Sequence, residues 1–430
     1  MKEEKKMELK LVNIAKIEYA ELKLNGITVI AGENNTGKST VGKVVFSLYN
    51  SLVNIEDKIA KQKEQQFYQL FKRKTEHVLY PGSDKDRLDR IYAYYVRWLS
   101  KRLNTGATEE ELSKIVNEKV DFSDNNRVEI TLDKEFFEEV NKINSLSIER
   151  LAKSAVSAYF KRVFYSEINN IYKKNDDAII DATIKGKSIR IKFRNDNCID
   201  IQQQINIVNE AVYLDNPFVL NCLNNGNYSR DEIELVTLNK LRKNVDAVED
   251  VVQYSLITDK IGEVIKKIGE VTSGSLLRDE AHSYFYKENG DEKLNINNLS
   301  AGFKSFVIIK TLLEKGSLME RDVLILDEPE IHLHPAWQLI YAEVIVLLQK
   351  TFDLTIVLTT HSAHFLDALN YFAKLHKVAD KCNYYLARTG DCGSVMEDVT
   401  DDISRIYSEL VDPSILLDKL KYKMEEAQDE

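Results

Sequence analysis

Hydrophobic and polar positions alternate, cluster and then alternate again along this chain, and the changes of period outline its elements. Near the N-terminus, short alternating runs predict strands at Leu9–Ile14, Glu21–Leu24 and Ile27–Ile30. A Gly-rich loop and a helix follow them. From 51 to about 120 the spacing turns helical and the residues become Lys, Glu, Gln and Tyr. Pro81, Gly82 and Ser83 break that stretch in two. Alternation returns at Arg127–Leu132, Ala178–Ile184 and Ser188–Phe193, and Gly186 between the last two predicts a hairpin. Ala211–Leu214 reads as a buried strand stopped by Pro217. A second helical block covers 229–271, as an antiparallel pair or a short arm, with no heptad run long enough for an extended coiled coil. Ser273 to Leu294 predicts a hairpin turning at Asn289, Gly290 and Asp291. Beyond Asn298, helices and strands alternate to about Ala387, and Ser404 to Glu430 is helical with an acidic end.

These elements predict an α/β fold: a mixed sheet with an antiparallel lobe and helical insertions. The expected division is 1–50 for the first part of a head and 51–176 for a helical insertion with some strand. The antiparallel lobe takes 177–228, a helical arm 229–271, the rest of the head 272–400 and a helical tail 401–430.

Candidate chemistry sits at strand ends. Residues 32–40 fit the phosphate-loop pattern G-x-x-x-x-G-K-[ST], after an apolar strand and before a helix, which is the context that pattern needs. Gly32 and Gly37 let the backbone N–H groups of Asn34, Asn35, Thr36 and Thr40 turn toward a polyphosphate. Lys38 supplies a cation for the β- and γ-phosphates, and Ser39 a hydroxyl for Mg²⁺. ATP with Mg²⁺ is therefore the expected ligand. Val323 to Leu326 is apolar throughout, as inside a parallel sheet, and ends in Asp327 and Glu328. Asp327 is placed as the second Mg²⁺ ligand, and Glu328 as the group that orients or deprotonates the attacking water. A second apolar run, Leu354–Thr360, ends in His361, within reach of a γ-phosphate oxygen. Ser300 reads as the N-cap of the next helix, and Gly302 as a point of close approach.

Taken in order, the loop, Leu299-Ser300-Ala301-Gly302, the acidic strand and His361 resemble the ABC-type ATPases, with Ala301 replacing a more usual glycine. The resemblance implies that Ser300 and Gly302 contact the nucleotide held by another subunit's Lys38, in a homodimer or higher oligomer with shared sites. Some 260 residues separate Lys38 from Leu299, and the inserted matter is helical and charged, as in the SMC, RecF and OLD branch rather than in transporters. The run from Asp327 to Pro335, with His332 and His334, is similar to the OLD-type group, and His334-Pro335 falls at that family's subunit-contacting loop. Asp215 and Asn216 match the nucleotide-sensing loop by position but lack its usual Gln.

Only 69 residues follow His361, fewer than a fused TOPRIM nuclease would need. Asp391, Glu397, Asp398, Asp401 and Asp402 are expected in a single loop, too compressed for a nuclease centre. The resemblance then extends to stand-alone ATPases of antiphage systems of the Septu, retron and PARIS kinds, which act with a separate HNH or TOPRIM effector. A RecF- or SMC-like repair ATPase and an ATP-gated scaffold are the alternatives.

Composition refines the choice of partner. The net charge is −10, yet residues 1–200 carry 36 Lys and Arg against 31 Asp and Glu. A DNA-facing surface is expected from Lys72-Arg73-Lys74, Arg97, Lys101-Arg102, Lys161-Arg162 and the stretch Lys185–Arg194. No apolar run suits a membrane span, and four scattered cysteines suit the reduced thiols of a cytoplasmic protein.

Overall fold

A computed structural model describes residues 7–78, 85–117, 127–130, 132–202, 207–224, 231–243, 261–288, 290, 292–410 and 420. The Pro81 break, residues 244–260 of the second helical block and most of the tail beyond 410 lie outside these residues. Two compact units divide the chain. One joins Met1–Val53 to Val156–Glu430, and the other is Asn54–Ala155. The insertion expected over 51–176 is thus a unit about 100 residues long, and the segment from Val156 onward folds with the larger unit.

The larger unit opens with β1 (Met7–Ile14), β2 (Ile17–Leu24) and β3 (Ile27–Gly32), then helix α1 (Lys38–Leu52). The smaller unit holds α2 (Ile55–Arg73), β4 (Thr75–Val78), α3 (Lys85–Asn104), α4 (Glu109–Asn117), β5 (Arg127–Ile130) and α5 (Lys134–Ser145). Helix α6 (Ile148–Phe164) begins there and ends in the larger unit. Then come β6 (Ala178–Ile184), β7 (Lys187–Arg194), β8 (Asn197–Gln202) and β9 (Ala211–Leu214). A 3-10 turn (Pro217–Leu223) leads to α7 (Glu232–Arg242). Strands β10 (Ser275–Arg278), β11 (Tyr284–Lys287) and β12 (Lys293–Asn295) form a small sheet. The chain closes with α8 (Ala301–Glu314), β13 (Val323–Asp327), α9 (Pro335–Phe352), β14 (Thr355–Thr360), α10 (Ala363–Leu375), β15 (Cys382–Gly390) and β16 (Gly393–Asp398).

One sheet of 11 strands organises the larger unit, in the order β8-β7-β6-β1-β2-β16-β15-β3-β14-β13-β9. From β15 to β9 every pairing is parallel, and the strands are buried on both faces. That is why Val323–Leu326 reads as a continuous apolar run. Each of those four side chains is at most 1% exposed. Burial of such a side chain stabilises by roughly 1.5–3 kcal/mol. The other wing, β8 to β2, is antiparallel and alternates, as in the buried Leu9 and Leu11 against exposed Glu8 and Lys10. Its β6–β7 turn follows the hairpin rule, with Lys185 and Gly186 both at positive φ (51° and 75°).

Two expectations change. The hairpin foreseen from Ser273 to Leu294 is a three-stranded meander, because an unforeseen turn at Asp279–Ser283 precedes the one near Gly290. The acidic residues expected in a single loop belong largely to the β15–β16 hairpin, with Glu397 and Asp398 on β16 and Asp391 in its turn. Alternation of acids with buried Met396 disguised that strand. Among the foreseen basic clusters, Arg73 pairs with Glu139 (2.7 Å), and Lys74 with Asp133 and Glu135 (2.9 and 2.6 Å), all within the smaller unit. In the larger unit Arg162, Arg190 and Arg194 pair with Glu232, Asp181 and Asp177. These cations are committed to acids of the same chain. No described helix is long and apolar enough to cross a membrane.

Helix α1 reaches the sheet through Gly42. A Cβ there would lie 2.8 Å from the Ile325 Cγ2 methyl and 3.0 Å from the Tyr213 ring. Gly42→Ala should cost about 1–3 kcal/mol as an overpacked contact. The urea midpoint of unfolding measures this, and an unchanged midpoint would contradict the packing described.

Candidate functional site

The parallel wing brings the C-terminal ends of β3, β13, β14 and β9 to one edge, where the sequence placed its candidate residues. Strand β3 runs into Gly32 at φ 145°, pressed by β15 so closely that a Cβ would meet the Ala387 carbonyl at 2.6 Å. The loop then turns through Asn34 and Asn35, the latter at φ 69° and accepting a hydrogen bond from the Lys16 ammonium. Thr36 is buried and its hydroxyl donates to the Glu33 carbonyl (2.7 Å). Gly37 at φ 78° starts α1, and the Thr40 N–H donates back to its carbonyl (3.1 Å). Residues 32–40 are therefore one continuous turn into a helix N-terminus, which is the geometry of an anion cradle.

Lys38 is only 4% exposed. Its ammonium donates to the Gly32 and Glu33 carbonyls (2.9 and 2.6 Å) and lies 3.8 Å from Glu328 Oε1. Burial lowers its pKa, opposed by the nearby carboxylates of Glu328, Asp327 and Glu330.

Asp327 is the most connected group of the site. Ser39 Oγ donates to its Oδ1 (3.0 Å), the Thr359 hydroxyl donates to the same oxygen, and Tyr213 OH donates to Oδ2 (2.7 Å). Thr359 also accepts from the Glu328 N–H (3.0 Å). Glu328 itself takes a positive φ of 48°, which turns its carboxylate away from the strand line. Its Oε1 then stands between Lys38 Nζ and His361 Nδ1, 3.5 Å from the latter. Below them lies Glu330, 3% exposed, its Oε1 accepting from the Thr360 hydroxyl (2.6 Å) and the His361 N–H (3.2 Å). Burial raises the Glu330 pKa, and its Oε2 has no hydrogen-bond partner among the described residues.

Ser39 and Asp327 form a pair of hard oxygen donors side by side. That donor set fits Mg²⁺, which takes one or two protein oxygens and completes its shell from phosphates and water.

Ser300 caps α8 by accepting from the Phe303 N–H (3.4 Å). Gly302 faces its own chain: a Cβ would lie 2.6 Å from the His332 carbonyl. The close approach foreseen for Gly302 is thus already made within the chain. His332 in turn meets Phe218 edge-on (5.9 Å), and His334 caps α9 by accepting from the Ala336 N–H (3.3 Å). Asp215 follows β9, and Asn216 caps the 3-10 turn by accepting from the Phe218 N–H (2.9 Å). Asp215, Asp327, Glu328, Ser305 and His332 line one cleft. Burial in it, then repulsion from Asp327 and Asp231, pushes the Asp215 carboxyl up to about 6. Much of the residue is open to solvent, which screens the effect.

Lys38, Ser39, Asp327, Glu328 and His361 therefore converge, while Ser300 and Gly302 sit on a helix that packs against the 3-10 turn and β10. Sequence reading missed Tyr213, Thr359 and Glu330. Their signal was polar atoms in otherwise apolar strands or directly after them.

A family model described as "AAA domain, putative AbiEii toxin, Type IV TA system" matches residues 235–367, which include α8, Asp327, Glu328 and His361 but not the loop 32–40. Solved structures similar to this chain include the SMC head domain from Thermotoga maritima, at 11% identity over 92% of this chain and 99% of that one, with a TM-score of 0.35. The Smc head domain with an extended coiled coil, bound to the C-terminal domain of ScpA, from Pyrococcus furiosus matches at 10% over 94% and 98%, TM-score 0.40. The cbiO1 protein of Clostridium perfringens, part of the ABC transporter complex cbiONQ, matches at 14% over 97% and 98%, TM-score 0.32. With a phosphate-loop sequence leading into α1 and an acid-ended strand, β13, next to the edge of one mixed sheet, the fold is that of a P-loop ATPase.

Asp215 gives this edge a pH signature. Its folded pKa of about 6 lies above its ordinary 3.8, so its contribution to stability is complete below about 3.8 and is lost as pH rises through about 6. Asp215→Asn should therefore melt higher than the parent near pH 7, with the gain vanishing by about pH 4. A thermal-shift series across that range measures the difference, and a gain that does not vary with pH contradicts the assignment.

Proposed function

We propose that this chain binds and hydrolyses ATP in sites shared between two copies, and that it serves as the regulatory ATPase of an antiphage defence system with a separate effector nuclease, of HNH or TOPRIM kind. The observation that carries the ATPase reading is the position of Glu328 Oε1, within 3.8 Å of Lys38 and 3.5 Å of His361. In this reading Lys38 leaves the carbonyls of Gly32 and Glu33 for the β- and γ-phosphate oxygens. Ser39 and Asp327 hold Mg²⁺, which supplies charge neutralisation on the phosphates when bound. Glu328 orients a water and accepts its proton as the water oxygen bonds to the γ-phosphorus. The bond to the β–γ bridging oxygen breaks, and ADP leaves with that oxygen. His361, held by Glu330 at its backbone N–H, donates to a γ-phosphate oxygen. The defence role draws on the family model's description and on the resemblance of the motifs to stand-alone defence ATPases.

Glu328→Gln should keep ATP binding and lower turnover by about 10²–10⁴-fold, the usual worth of a positioned base. Lys38→Ala should lose binding and turnover together. Calorimetry and phosphate release read the two effects separately. Normal turnover by Glu328→Gln removes Glu328 from its role.

Subunit sharing predicts complementation. Lys38→Ala and Ser300→Arg should each be inactive alone. In co-purified mixed dimers one site contains only parental groups, so turnover should recover to at most about half per dimer if the sites act independently. Absence of recovery in dimers shown to be mixed argues against a shared site.

A further inference from the structure

Helix α3 of the smaller unit carries a surface that the ATPase reading leaves unused. Its buried face is Val96, Leu99 and Leu103, packed on Phe67, Leu70 and Phe71 of α2. The opposite face presents Tyr94, Arg97, Trp98, Lys101 and Arg102, all exposed. At 3.6 residues per turn these five fall within about 140° of the helix circumference and about 12 Å of its length. From Arg90 to Asn104 the helix has no Asp or Glu, in a chain whose net charge is −10.

Two features together mark this stripe. The first is that its cations are uncommitted among the described residues. Some cations of the unit, Arg73, Lys74, Lys134 and Lys153, each pair with a carboxylate, whereas Lys61, Lys72, Lys114 and Lys142 have none among the described residues. Arg97, Lys101 and Arg102 have no carboxylate within ion-pair distance among the described residues. The second is that large rings stand among them. Tyr94 is 76% exposed and Trp98 37%. Trp98 stacks on Tyr95 (6.0 Å, 19°), and the Arg102 guanidinium lies over the Trp98 ring at 5.2 Å. Trp98 thus has the Tyr95 ring and the Arg102 cation as neighbours, with the open Tyr94 ring one turn away.

Exposed rings interleaved with free cations suit a polyanion that also offers flat faces. A duplex hides its base faces, whereas a single strand presents them. We infer that the outer face of α3 binds single-stranded nucleic acid, with bases stacking on Tyr94 and on the Arg102–Trp98 stack, and phosphates meeting Arg97 and Lys101. This site is separate from the proposed ATP chemistry and does not depend on it.

The test uses the full chain and a fluorescent oligothymidylate of about 15 nucleotides, followed by anisotropy over a salt series. The parent should bind, more weakly as salt rises. Tyr94→Ala should weaken binding at least about fivefold, the lower bound for one stacked base. Arg97→Gln with Lys101→Gln should reduce the slope of log affinity against log salt by about 1.4, from two phosphate contacts at about 0.7 each. Basal phosphate release and the far-ultraviolet circular dichroism of both variants should match the parent. The inference fails if the parent does not bind at low salt, or if both variants bind as the parent does. It fails equally if a duplex of the same length binds as tightly and Tyr94→Ala is harmless. A change of oligomeric state in Tyr94→Ala with strand binding intact would make the face a protein contact and overturn it as well.

Discussion

A carboxylate placed at the end of a buried strand needs partners, and the way Asp327 finds them ties the site together. Its oxygens accept from Ser39 on α1, Thr359 on β14 and Tyr213 on β9, so one side chain joins the ends of four elements. Tyr213 and Thr359 come from the strands paired in parallel with β13, and Ser39 from the helix that packs on that sheet through Gly42, so none reaches Asp327 unless the register is correct. Thr359 passes the order onward, because the hydroxyl that donates to Asp327 also accepts from the Glu328 N–H. The positive φ of Glu328 is held by that bond, and with it the direction of the proposed base. Removal of the Tyr213 hydroxyl would leave the half-buried Oδ2 without a partner among the described residues, whereas Oδ1 keeps one donor if either Ser39 or Thr359 is lost.

The motif residues were legible because their chemistry demands a local pattern. The loop 32–40 needs its glycines and lysine at fixed offsets, and the acid-ended strand needs an unbroken apolar run before it. The supporting residues obey no such pattern. Tyr213 lies more than 100 residues before Asp327 and becomes its neighbour only through the β9–β13 pairing. Glu330 reads as one more acid in Asp327-Glu328-Pro329-Glu330 until burial and its two bonds at the end of β14 set it apart. Gly302 was legible as a tight spot, but its close partner is the carbonyl of His332 in the same chain. Part of the basic clusters carries less free charge than it reads, for a related reason. A run of Lys and Arg reports charge, and the acids that neutralise Arg73 and Lys74 come from α5 and its cap, some 60 residues later.

The phosphate loop also closes on itself. With Lys38 bonded to the carbonyls of Gly32 and Glu33, the cation satisfies the loop from inside. A ligand must replace those two bonds, and a polyphosphate does so with charge-assisted contacts of greater strength. A nucleoside without phosphates has nothing to exchange for them. In the proposed reading, selectivity for the charged end of a nucleotide would lie in the loop before any base is recognised.

The strand order carries a consequence for how such a chain is made. Strand β3, at residues 27–32, is flanked by β14 at 355–360 and β15 at 382–390. A ribosome adds about 5–20 residues per second, so the strand that leads into the loop waits tens of seconds for its neighbours to emerge. For that interval its apolar edges are open, and the smaller unit, with a core of its own between 54 and 155, is free to fold first. An interrupted message that stops before residue 355 would yield a chain bearing the complete phosphate loop but lacking both strands that flank β3. Such a product would carry the loop without the sheet that positions it.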